Sequence, residues 1–175
     1  MHRAIVVFCV FLVIVQGWAQ TTTVNRCIHS GGQPPLNAFV HGCTKPPCQL
    51  PQLGDLIVDV TFAAPRKLSQ MTTALTASVN VGGIEFNVPV NLREIASTCN
   101  FLTLPATCPI QGGEITHYRF KWHIEQFFPV GTVANIELRV LDNESNNEVL
   151  WCIRFPVRIL PPASAQQDPT PVLAN

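Results

Sequence analysis

Charge is scarce in this sequence. Of 175 residues, only 13% are Asp, Glu, Lys or Arg, about half of the ~25% usual in soluble domains. Lys and Arg balance Asp and Glu at 11 each, with no basic cluster. A nucleic-acid footprint needs such a cluster, so no nucleic-acid partner is expected. Beyond the first residues there is no long apolar run, and so no spanning helix is expected. Gly-x-Ser-x-Gly is missing, as is a Cys/His constellation. His29, His41, His117 and His123 show no metal-ligand spacing. The expectation is a protein with no catalytic activity, no cofactor and no metal. A chain this poor in charge and this rich in apolar residues must bury a large apolar interior.

The chain opens with the pattern of a secretory signal peptide, residues 1–19. Arg3 supplies the positive start, Ala4 to Val15 the apolar stretch, and Gly17-x-Ala19 the small residues of a cleavage site. That apolar stretch is 12 residues long, against the roughly 20 of a spanning helix, which argues against a membrane anchor. Removing 19 of 175 residues leaves 156, the size of one domain. Arg3 leaves with the signal, so the formal balance becomes −1. The expected address is the secretory route.

Cys9 is lost with the signal. Cys27, Cys43, Cys48, Cys99, Cys108 and Cys152 remain, an even count in an oxidising compartment. Six cysteines allow 15 pairings, and sequence alone does not choose. Cys43-Thr-Lys-Pro-Pro-Cys48 is a short, proline-stiffened spacing that favours a local bridge. Cys99 and Cys108 flank another proline-containing loop. Cys27 and Cys152 would then tie the N-terminal segment to the last strand. By the chain-entropy model so long a closure contributes about 4–5 kcal/mol.

Between the cysteines the chain alternates. Leu56, Val58, Val60 and Phe62 share one side of a strand over 55–62. The same period runs through 75–81, 84–90, 133–140 and 149–159. Turn signals separate them: Leu53-Gly54, Gly82-Gly83, Gly112-Gly113 and Asp142-Asn143. Pro89 places the end of the strand over 84–90 at an edge or a bulge. Six or seven short strands without a helical period predict an antiparallel β-sandwich. The domain is expected over 20–160, with a disordered Pro-, Ala- and Gln-rich tail over 161–175. Asn143-Glu144-Ser145 is a glycosylation sequon in an expected turn, so Asn143 is a candidate acceptor.

The heaviest apolar load lies between Cys108 and Pro129. Tyr118, Phe120, Trp122 and Ile124 fall on one face; Arg119, Lys121, His123 and Glu125 fall on the other. Phe127 and Phe128 extend the apolar run. In most sandwiches such a face is plain core. The alternative is the wall of a cavity.

At these residues the chain resembles a known family. Cys43–Cys48 followed by Gln49-Leu50, then Cys108-Pro109-Ile110-Gln111, then Trp151-Cys152 with Phe155-Pro156-Val157-Arg158-Ile159, is similar to the ML lipid-recognition domain family of Niemann-Pick type C2 sterol carriers. The resemblance covers about residues 24 to 160. It implies a two-sheet immunoglobulin-like sandwich that holds one lipid between its sheets. It implies the bridges Cys27–Cys152, Cys43–Cys48 and Cys99–Cys108. Three pocket positions carry over to Phe86, Ile124 and Phe128, with Val58, Val60, Val88, Phe120 and Trp122 as neighbours. Phe128 stands where the family has a tyrosine, which removes a hydroxyl and favours a more apolar ligand. The segments 86–99 and 99–108 are longer than in the family and would lie near the pocket mouth.

The function implied is a secreted or lysosomal carrier of a sterol, a fatty acid or another small lipid. Such a carrier acts as a monomer with transient contact to a membrane or a membrane sterol transporter. Two alternatives stand beside it. One is a lipid-sensing immune co-receptor of the same fold. The other is an immunoglobulin-like adhesion or receptor module, for which Cys108 and Trp122 have roughly the right spacing. Against the module, Leu150 occupies the place of the corner tyrosine, two residues before Cys152.

Overall fold

A computed structural model describes residues 20–28 and 30–163. The signal peptide expected over 1–19, His29 and the tail from 164 lie outside the described residues.

Eight strands form two facing sheets. β1 (Asn37–Val40), β3 (Asp55–Ala63) and β6 (Ile115–His123) make the smaller, in the order β1-β3-β6. β2 (Cys48–Pro51), β4 (Met71–Val81), β5 (Ile84–Val90), β7 (Val133–Asp142) and β8 (Glu148–Leu160) make the larger, in the order β2-β8-β7-β4-β5. The fold is the expected immunoglobulin-like β-sandwich. Among the named strands it departs from antiparallel pairing where β2 runs parallel to β8, with Cys48 opposite Val157. The four-residue strands β1 and β2 carry too little alternation to announce themselves. Their places come from pairing with β3 and β8.

The long strands bury the faces that period two assigns. Along β3, Leu56, Val58, Val60 and Phe62 are buried; along β6, Tyr118 and Phe120 are. They meet Leu138, Ile153 and Phe155 from β7 and β8. Each such aliphatic or phenyl side chain contributes about 1.5–3 kcal/mol on leaving water.

β5 behaves differently. Ile84, Phe86 and Val88 alternate as a buried face should, yet they are exposed. The reason is the width of the sheets. The larger has five strands and the smaller three, so the outer edge of the larger reaches past its cover. Pro89 sits on this edge strand, where its missing N–H breaks no ladder in the interior of the sheet.

Three disulfides hold the frame: Cys27–Cys152, Cys43–Cys48 and Cys99–Cys108, with Cα separations of 5.9, 5.3 and 5.7 Å. This is the pairing the resemblance implies. Cys43–Cys48 closes the crossing from β1 in one sheet to β2 in the other. Cys99–Cys108 lies in another crossing, from β5 to β6, which contains 3-10 turns at Arg93–Ala96 and Thr98–Phe101. Cys27–Cys152 ties the N-terminal segment to β8, where Asn25 also exchanges backbone hydrogen bonds with Arg154.

Candidate functional site

The sheets part between their free edges, β5 and β6. The opening is a cleft of about 1030 Å³. Ala77 and Val79 of β4 line it, with Val88, Pro89 and Val90 of β5. Trp122 comes from β6, and Phe127 and Phe128 from the loop beyond it. The β5–β6 crossing adds Leu92, Ile95 and Phe101.

The aromatic wall is built by local chemistry. Trp122 and Phe128 meet edge to face with centroids 5.6 Å apart, and Phe127 lies 4.3 Å from Phe128. Edge-to-face contact suits the ring quadrupoles. The Gln52 side-chain amide donates to the carbonyls of Gln126 and Phe128, which pins this loop to the end of β2. Phe127 remains 74% exposed.

The rim is charged. Asp55 accepts from Lys121 at 2.9 Å and pairs with His123 at 3.1 Å. The hydrogen bond from Lys121, followed by that from His123, holds the Asp55 carboxyl below its usual range. Arg93, Glu94 and Glu125 complete the rim. These groups leave the cleft wall itself apolar.

Farther into the interior than the residues that line the cleft lies a buried polar cluster. The hydroxyls of Tyr118 and Thr73 share a hydrogen bond at 2.7 Å, and Thr73 shares another with Thr98 at 2.9 Å. All three residues are buried. Burial drives the Tyr118 hydroxyl well above its ordinary pKa, although the bond to Thr73 works the other way.

The residues singled out from sequence divide into three groups. Val88, Trp122 and Phe128 line the cleft. Phe86 stands beside it on β5, half exposed. Val58, Val60, Phe120 and Ile124 lie behind it in the packed core, each at most 1% exposed. Sequence reasoning missed Ala77, Val79, Leu92, Ile95, Phe101 and Phe127 as wall residues. The alternation of β4 already turned Ala77 and Val79 inward. The long 86–99 and 99–108 segments, expected near the mouth, supply Leu92, Ile95 and Phe101.

The described histidines, His41, His117 and His123, spread over the outer face of the smaller sheet. His41 pairs with Asp59, His117 with Thr61 and His123 with Asp55. Cys27, Glu137 and Cys152 come close enough to suggest a metal site by distance. The sulfurs are joined to each other, so no thiolate is offered. Asn143 is exposed in a 3-10 turn over Asn143–Ser145.

Comparison with known proteins agrees with this architecture. Residues 21–159 match the ML domain. The fold is similar to a crystal structure of a Niemann-Pick type C2 protein from Japanese carpenter ant. The two share 16% identity at a TM-score of 0.62, over 78% of this chain and 98% of that one. A fainter likeness is to chicken MD-1 complexed with lipid IVa. There the identity is 9% and the TM-score 0.37, over 61% of this chain and 72% of that one. No curated protein matches the sequence.

Proposed function

This chain belongs to the ML domain family, and from that premise we propose that it is a secreted carrier of one small apolar ligand. The ligand class is a sterol, a fatty acid or a molecule of similar size. The role is intracellular sterol transport or extracellular transport of lipids or semiochemicals. The observation that carries the reading is the cleft between β5 and β6, walled by Val79, Val88, Trp122, Phe127 and Phe128.

A ligand burying ~300–400 Å² of apolar surface gains about 8–10 kcal/mol at about 25 cal/mol per Å². Association costs about 4 kcal/mol or more. Binding therefore requires that most of the ligand enter the cleft. It requires no nucleophile, metal or cofactor, and we assign no catalysis. Cys43–Cys48 and Cys99–Cys108 keep the β1–β2 and β5–β6 crossings in place while the cleft is empty. On this reading the signal peptide is removed and Asn143 carries a glycan.

The exposed Phe86, Val88 and Phe127 beside the mouth favour a second reading. In that reading the protein presents its lipid to a receptor chain, as a lipid-sensing co-receptor. Native mass spectrometry of the secreted protein separates the two. A carrier shows a monomer plus one small apolar molecule. A co-receptor shows a stable heteromer. A bare monomer that also fails to bind a fluorescent sterol or fatty-acid probe contradicts both.

A further inference from the structure

Two cross-sheet relations fix how deep the cleft is. Ala77 of β4 and Trp122 of β6 both line it. Four residues earlier on each strand, Thr73 and Tyr118 meet through their hydroxyls at 2.7 Å. The inward faces of β4 and β6 therefore run in step across the sandwich. Leu75 and Phe120 occupy the level between. They are 2% and 1% exposed, and neither reaches the open space.

We propose that Leu75 and Phe120 form the floor of the cleft and determine how long an apolar chain it accepts. The inference rests on the carrier reading and names the feature that selects among its ligands. The floor has a rigid support. Sliding Leu75 or Phe120 inward would part Thr73 from Tyr118 and Thr98, all buried, and leave hydroxyls without partners. Thr98 adjoins Cys99, whose bridge to Cys108 fixes the crossing that carries it. The polar cluster thus stops the core from yielding to a longer ligand. A single alkyl chain entering between β5 and β6 ends at Phe120. It does not thread the long axis of the sandwich.

The test is competition by a series of saturated fatty acids of increasing length against a fluorescent fatty-acid probe. For the unaltered protein, affinity rises about fourfold for each added methylene while the chain still finds apolar wall. It then stops rising once the floor is reached. Phe120→Ala opens space below and moves that limit to chains longer by about two methylenes or more. Ala77→Leu fills the cleft above the floor and moves the limit to shorter chains. Ala77→Leu grows into open space, so it keeps the test alive if Phe120→Ala fails to fold by circular dichroism. An unchanged limit in Ala77→Leu, or in a folded Phe120→Ala, overturns the inference, as does an unaltered protein whose affinity ignores chain length. If no fatty acid displaces the probe while a sterol does, the floor assignment fails and the carrier reading stands. If nothing binds, the carrier reading falls, and this inference with it.

Discussion

The two ends of the inward face of β6 meet opposite fates. At Tyr118 the sheets are locked together: its hydroxyl bonds to Thr73 of the facing sheet, and its ring lies 6.1 Å from Trp151. Four residues on, at Trp122, the sheets stand apart around a cleft of about 1030 Å³. Both residues follow the same alternation and are apolar-facing aromatics. What separates them is the neighbour across the gap. Tyr118 faces a hydroxyl that satisfies it. Trp122 faces Ala77 and Val79, too small to fill the space. Close packing is thus concentrated at one end and open space at the other.

Substitutions should fall differently on the two ends. Trp151→Ala empties the locked end, where the ring is buried against Phe62 and Tyr118. It should cost about 3–5 kcal/mol by denaturant unfolding. Trp122→Ala removes a ring of the same size from a wall already open on one side, and should cost clearly less. Equal losses would break the comparison.

Next in size is the effect of added bulk. Ile124→Trp forces a larger ring into a site 1% exposed and should destabilise by about 1–3 kcal/mol. Val88→Trp adds the same ring to a cleft wall that is 53% exposed. It should leave the melting temperature nearly unchanged and weaken probe binding tenfold or more, about 1.4 kcal/mol.

Tyr118→Phe should cost about 1 kcal/mol, because Thr73 and Thr98 keep their mutual bond. The same hydroxyl sets an alkaline limit. Burial raises its pKa in the folded state above the ~10 of an exposed tyrosine. The neutral form is the one that fits the core. That stabilisation is therefore complete below about pH 10 and is lost as pH rises through the folded value. Tyr118 is the single tyrosine in the chain, so absorbance at 295 nm follows it alone. Ionisation should coincide with unfolding by circular dichroism; ionisation near pH 10 in a folded protein would show the lock to be open.

The smallest effect belongs to the rim. Lys121→Ala removes one of the two partners of Asp55, His123 being the other, and Lys121 is 59% exposed. The loss should stay below about 1 kcal/mol and shrink further in salt.

Much of this architecture was legible in the sequence, and the limit of legibility has a physical cause. Period two assigned the faces of β3, β6, β7 and β8, because one buried face against one wet face leaves a local mark. It could not assign depth. Phe120, Trp122 and Ile124 share a face, yet only Trp122 reaches the cleft, because that depends on what the opposite sheet places at the same level. Ile84, Phe86 and Val88 share a face by alternation, yet that face is exposed, because three strands cannot cover five. Sheet width is a property of the whole topology, and no window of sequence contains it.

On the carrier reading, the open end and not the locked end receives the ligand. Tryptophan quenching tests it directly. A bromine-labelled fatty acid quenches only the indole it touches. Trp122 lines the cleft and Trp151 is buried at the locked end, 2% exposed. Titrating the mature protein should quench part of the emission to saturation. Trp151→Phe should keep that quenching, and Trp122→Phe should abolish it while the acid still binds by competition. Quenching that survives in Trp122→Phe and disappears in Trp151→Phe would place the ligand in the core and contradict the account.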